Sequence, residues 1–95
     1  MVAYLDQIAR LNGTANAIVS LRDPEALLAE ADAADATLWR DGPVGPLHGV
    51  PQAPKDLALT RGLRTTCGSP LLADQVPEVD SFHVERVRRA GAILI

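Results

Sequence analysis

The sequence predicts an α/β fold, and three features carry that prediction. One is a capped amphipathic helix over 23–40, and another is a helix running from Asp80 or Ser81 to Ala90. The third is the strictly apolar run Ala92-Ile93-Leu94-Ile95, the pattern of a strand buried on both faces of a parallel sheet. At 95 residues the chain is one small domain at most. Its 47% apolar and 22% charged residues fit a globular protein rather than a disordered tail. Tyr4, Trp39 and Phe82 are the only aromatic residues, so the core must come from Leu, Val, Ile and Ala.

Val2 to Leu11 reads as the first helix. Tyr4, Leu5, Ile8 and Leu11 recur at helical spacing, and Asn12-Gly13 fits a C-terminal stop. Ala17 to Leu21 is a short apolar run expected to be extended. Asp23 then caps the clearest helix, with Pro24 at its first position and Glu25 at the positive end of its dipole. Leu27, Ala31, Ala34 and Leu38 form its apolar stripe, and Asp41-Gly42-Pro43 ends it. From Gly42 to Pro54, Pro43, Pro46, Pro51 and Pro54 exclude helix, so the backbone is extended or turning. Leu57-Ala58-Leu59 is a brief apolar stretch, Gly62 to Pro70 is rich in turn residues, and Leu71 to Pro77 has no clear pattern. In the last helix Val84 and Val87 point inward, and Gly91 stops it.

The charge excludes some functions. A net charge of −3 leaves no basic footprint for nucleic acid. The local cluster Arg86, Arg88 and Arg89 suits the negative end of a helix better than a phosphate site. One cysteine, Cys67, permits no internal disulfide and fits a reducing compartment. No run approaches the ~20 apolar residues of a membrane span, and the start does not resemble a secretory signal. A cytoplasmic protein is expected. A chain that ended on a buried strand would place its carboxylate near a sheet, which costs free energy. The expectation is therefore a piece of a longer protein.

Among eight arginines stands one lysine, Lys55, in the rigid Pro/Gly-rich segment. Desolvation can bring a lysine's pKa down from about 10.4, so it can serve as a base where arginine cannot. A neutral amine can take a proton from serine and return it to a leaving amine. The residues alone favour a solvated loop lysine over a catalytic one.

The run Gly45-Pro46-Leu47-His48-Gly49-Val50-Pro51, followed by Gln52-Ala53-Pro54-Lys55-Asp56, resembles the lysine segment of the amidase signature family. Gly62-Leu63-Arg64-Thr65-Thr66-Cys67-Gly68-Ser69 is similar to that family's Gly-x-x-Thr-Thr-x-Gly-Ser. Asp80 to Ile95 resembles the helix and strand that come next, and the helix from Asp23 resembles the family's second helix. The resemblance implies that residues 1–95 are the N-terminal portion of a single amidase domain, an α/β/α sandwich around a mixed sheet, truncated after a buried strand. It implies amide hydrolysis by a Ser–cis-Ser–Lys triad, with Lys55 as the lysine, a small-molecule amide as substrate, and no cofactor. Gln52 and Pro54 depart from the usual apolar or small residues.

Family members continue into a Gly/Ser-rich stretch holding both catalytic serines, and this chain contains none of it. The chain alone is therefore expected to be inactive. The alternative is a non-catalytic binding or regulatory module derived from an amidase front half. Ser20, Ser69 and Ser81 are the only serines; Ser69 reads as a turn hydroxyl or helix N-cap rather than a nucleophile. Cys67 reads as a small, buried thiol. Cys67, His48 and His83 lack the spacing of a zinc site. Asp56 is expected to bond local backbone.

Overall fold

Helices α1 (Val2–Ala15) and α2 (Pro24–Asp41) open the computed structural model, which describes every residue from Met1 to Ile95. Helix α1 continues through Asn12-Gly13 instead of stopping there. The Asn12 side chain is used elsewhere: Oδ1 accepts the Ile18 N–H and Nδ2 donates to the Ile18 carbonyl, both at 2.8 Å. The stop is Asn16, left-handed at φ 46°, a region that Asn tolerates better than most residues. Residues 17–21 form no strand. They are held by the Asn12 clasp and by Arg64 Nη2, which donates to the Val19 carbonyl at 2.6 Å.

Helix α2 starts as its sequence dictates, with the Asp23 carboxylate accepting the Ala26 N–H at 3.2 Å and Pro24 at the first position. Leu27 is fully buried, and Ala31 and Ala34 lie against the same cluster. Leu38 is 45% exposed despite its helical spacing. The packed surface reaches only as far as Ala34, so the last turn of α2 projects beyond it.

Strands β1 (Pro51–Gln52) and β2 (Ile93–Leu94) pair in parallel, Pro51 opposite Ile93 and Gln52 opposite Leu94. The Ile93 N–H donates to the Val50 carbonyl at 3.0 Å and the Ile95 N–H to Gln52 at 2.9 Å. Val50 and Gln52 thus face β2, and Pro51 turns its missing donor to the outer edge, where a sheet tolerates it. Ile93 and Ile95 join Leu27 on one face, while Leu94, on the other, is 1% exposed. Both faces of β2 are covered, as the apolar run predicted.

The Gly42–Val50 loop lies directly on the turn before β2. Leu47 N–H donates to the Ala90 carbonyl and Gly49 N–H to the Gly91 carbonyl, both at 2.9 Å. Gly91 is left-handed at φ 93°, and a Cβ there would meet the His48 backbone at 2.9 Å. Helix α3 (Phe82–Arg89) buries Val84. Ser81 sits at its N-cap without a side-chain bond. Asp80 is engaged elsewhere, accepting the Arg61 N–H at 2.7 Å and pairing with Arg88 at 3.0 Å. The unpatterned 71–77 region begins with a 3-10 turn, Pro70–Leu72, capped by Ser69. No helix is long and apolar enough to cross a membrane.

Only nine of the 95 residues are buried, a small core to set against the chain entropy of a domain this long. A two-stranded sheet also adds little by itself. The 95-residue chain alone is expected to show a broad, non-cooperative melt by circular dichroism. A sharp transition would contradict this.

Candidate active site

Lys55 follows the carboxyl end of β1, and its backbone is fixed on both sides. Pro54 restricts the approach, and the Lys55 carbonyl accepts the N–H groups of Leu57 at 2.7 Å and Ala58 at 2.8 Å. The side chain is exposed. The ion pairs are Arg22–Glu30, Arg40–Asp41, Arg88–Asp80 and Arg89–Glu85, so none occupies the Lys55 amine.

A cleft of about 370 Å³ opens beside Lys55. Ala53, Pro54 and Lys55 line it as they leave β1, and Ile95 lines it as it leaves β2. Arg64 and Thr65 form part of another wall. The carboxyl ends of both parallel strands thus open on one cleft, the usual position of a site in α/β sheets. Arg64 was not singled out by its sequence pattern, because its role depends on contacts to the distant 17–21 loop.

Asp56 joins two segments. Its Oδ1 accepts the Thr66 N–H at 2.6 Å, and its Oδ2 accepts the Thr66 hydroxyl and, at 3.2 Å, the Gly68 N–H. Its carbonyl accepts the Cys67 N–H at 2.9 Å. The expected backbone bonds exist, but they reach a turn ten residues away rather than local backbone. The Thr66 hydroxyl first, then the Thr66 N–H, hold the Asp56 carboxyl below its ordinary pKa, against some desolvation. The Arg88 side chain does the same for Asp80, aided by the Arg61 N–H.

A carboxyl with a depressed folded pKa contributes stability that is complete above its unfolded value and lost as pH falls through the folded one. Both aspartates are therefore expected to lower the melting temperature as pH drops below about 4. Thermal scans of the complete protein between pH 7 and pH 3 check this. Asp56→Asn should flatten the dependence; an unchanged slope would remove Asp56 from the account.

A family model described as Amidase matches residues 1–95. The chain belongs to the amidase family. It is 53% identical over 88 residues to a glutamyl-tRNA(Gln) amidotransferase subunit from Thiobacillus denitrificans, covering 93% of this chain and 18% of that protein. The corresponding Azoarcus protein is 48% identical over 90 residues, covering 95% of this chain and 18% of its own length. A solved structure from work on a vestigial protein complex and the origins of an s-triazine catabolic enzyme superimposes with TM-score 0.79 at 35% identity. That match covers 95% of this chain and 20% of the other. The chain thus spans about a fifth of the length of the relatives it matches.

Within this amidase segment the other candidate residues take structural places. Ser69 Oγ accepts the Leu71 N–H at 3.3 Å, the capping role its position predicted. Cys67 is exposed rather than buried; it lies in the Thr66–Ser69 turn, left-handed at φ 52°. His48 bridges the loop to α2: Nδ1 accepts the Val44 N–H at 3.3 Å, so Nε2 donates to the Ala34 carbonyl at 2.9 Å. No three His, Cys, Asp or Glu side chains converge as metal ligands. Arg89 pairs with Glu85, Arg88 with Asp80, and Arg86 stacks over Phe82 with its guanidinium 4.5 Å from the ring centre.

Proposed function

We propose that the complete protein hydrolyses carboxamide C–N bonds through a Ser–cis-Ser–Lys acyl-enzyme mechanism, with this chain supplying the lysine, Lys55. The supporting observation is its place: an unpaired amine beside a cleft at the carboxyl ends of two parallel strands. Ile95 lies on the wall of the same cleft. On this reading residues 1–95 are part of one α/β/α sandwich domain, and both serines come from outside them. The 95 residues alone are then inactive.

Lys55, deprotonated, accepts a proton from the bridging serine, which accepts one from the nucleophilic serine. The nucleophile adds to the amide carbonyl, and backbone donors hold the oxyanion. The proton returns along the same path to the leaving nitrogen as the C–N bond breaks. Water then adds to the acyl-enzyme and releases the acid. The relatives' names point to different substrates, a glutamyl-tRNA(Gln) amidotransferase in some cases and s-triazine catabolism in another, so the proposal stops at a carboxamide. Glutamine, an aryl amide, an alkyl amide and a linear oligoamide form the test panel. The complete protein should release ammonia or amine from at least one of them, and Lys55→Ala should lower that rate by about 10³-fold or more. A rate within a few-fold of the parent would remove Lys55 from catalysis.

A further inference from the structure

We propose that Asp56 is a positioning residue for Lys55: it fastens the Thr66–Ser69 turn to the lysine segment and so aims the amine into the cleft. The inference rests on reading Lys55 as the base. Lysine has a long flexible stem, and the Lys55 side chain has no ion-pair partner to steer it. Its reach is then set by its backbone and by the walls around it. Asp56 governs both.

Asp56 is the next residue in the chain, and Thr65 and Arg64, on another wall of the cleft, lead straight into the Thr66 turn. That turn is unusual. Cys67 at φ 52° and Gly68 at φ 67° are both left-handed, and the Ser69 N–H closes it on the Thr66 carbonyl at 2.9 Å. A cysteine does not favour that region. The turn is held because Asp56 accepts the three preceding N–H groups, from Thr66 at 2.6 Å, Cys67 at 2.9 Å and Gly68 at 3.2 Å. The two motifs, Lys55-Asp56 and Thr65 to Ser69, are one mechanical unit.

An asparagine at this position has a single side-chain acceptor oxygen and presents donors in place of the other, so it cannot serve both backbone N–H groups that the carboxylate serves. Small displacements of a catalytic group cost rate far out of proportion to their size. The test uses the complete protein and the panel amide it hydrolyses fastest, with sites counted by a serine-directed fluorophosphonate. Asp56→Asn and Thr66→Val should each lower kcat per titrated site by about ten-fold or more. KM should stay within about three-fold, and Thr66→Ser, which keeps the hydroxyl, should restore kcat.

If Asp56→Asn does not fold, the Thr66→Val and Thr66→Ser pair decides. Unchanged kcat per site, with only a lower melting temperature, would reduce Asp56 to a structural clamp and overturn the inference. Lys55→Ala run beside them separates the two failures. If it keeps the parent rate, the reading of Lys55 falls; if it is dead while the Asp56 and Thr66 variants are unaffected, only the positioning role falls.

Discussion

Gly45→Ala is expected to destabilise the complete protein by about 2–4 kcal/mol, a large share of ordinary domain stability. The new Cβ would stand 2.6 Å from the Ala90 carbonyl oxygen, 2.9 Å from its carbon and 3.0 Å from its Cα. All three are backbone atoms, so no side chain can rotate away. Relief requires the loop to lift, and lifting it stretches the 2.9 Å bonds from Leu47 to Ala90 and from Gly49 to Gly91. Those bonds seat the loop that leads into β1, and β1 leads to Lys55. Gly13→Ala is the control. Gly13 lies inside α1, a Cβ there meets nothing within 4 Å, and alanine should stabilise by about 0.5–1 kcal/mol. Urea denaturation midpoints give both values. Equal small effects would mean that the loop does not press on Ala90.

Lys55→Arg should be as damaging to amide hydrolysis as Lys55→Ala, about 10³-fold or more. Arginine keeps the charge and the length, so it preserves any contribution that rests on positive potential alone. It does not give up its proton in a protein, so it cannot accept one from serine. Lys55 is outside every ion pair and Lys55→Arg keeps the charge, so the melting temperature should stay within a few degrees of the parent. A stable but inactive Lys55→Arg protein separates the base role from both electrostatics and folding.

The sequence was most informative where local chemistry decides structure. Asp23 and Pro24 fix the start of α2 through one cap bond and one ring, both local. The run Ala92–Ile95 announced a strand covered on both faces, because burial on two sides leaves no place for a polar residue. It was least informative where a side chain acts at a distance. Asn12-Gly13 has the composition of a helix stop, yet Asn12 spends its amide on Ile18 and the helix runs on to Asn16. Leu38 has the right spacing for the core, but spacing gives direction only and cannot say where the packed surface ends. At the proposed site, Lys55 stood out in the sequence as the lone lysine of a rigid segment. Its cleft was not, because Ile95, Arg64 and the 16–20 loop come together only through tertiary packing. Asp56 shows the same limit: a bond to backbone was foreseeable, but the turn it holds was identifiable only as a second motif.

The most direct test of the account is the acylation rate of the complete protein measured in a single turnover, for the parent and for Lys55→Arg, on the same amide. Rapid acyl-enzyme formation is expected in the parent and a rate about 10³-fold slower in Lys55→Arg, with the melting temperature within a few degrees of the parent. Acylation at the parent rate in Lys55→Arg would contradict it, since a side chain that holds its proton would then be doing the work assigned to a base.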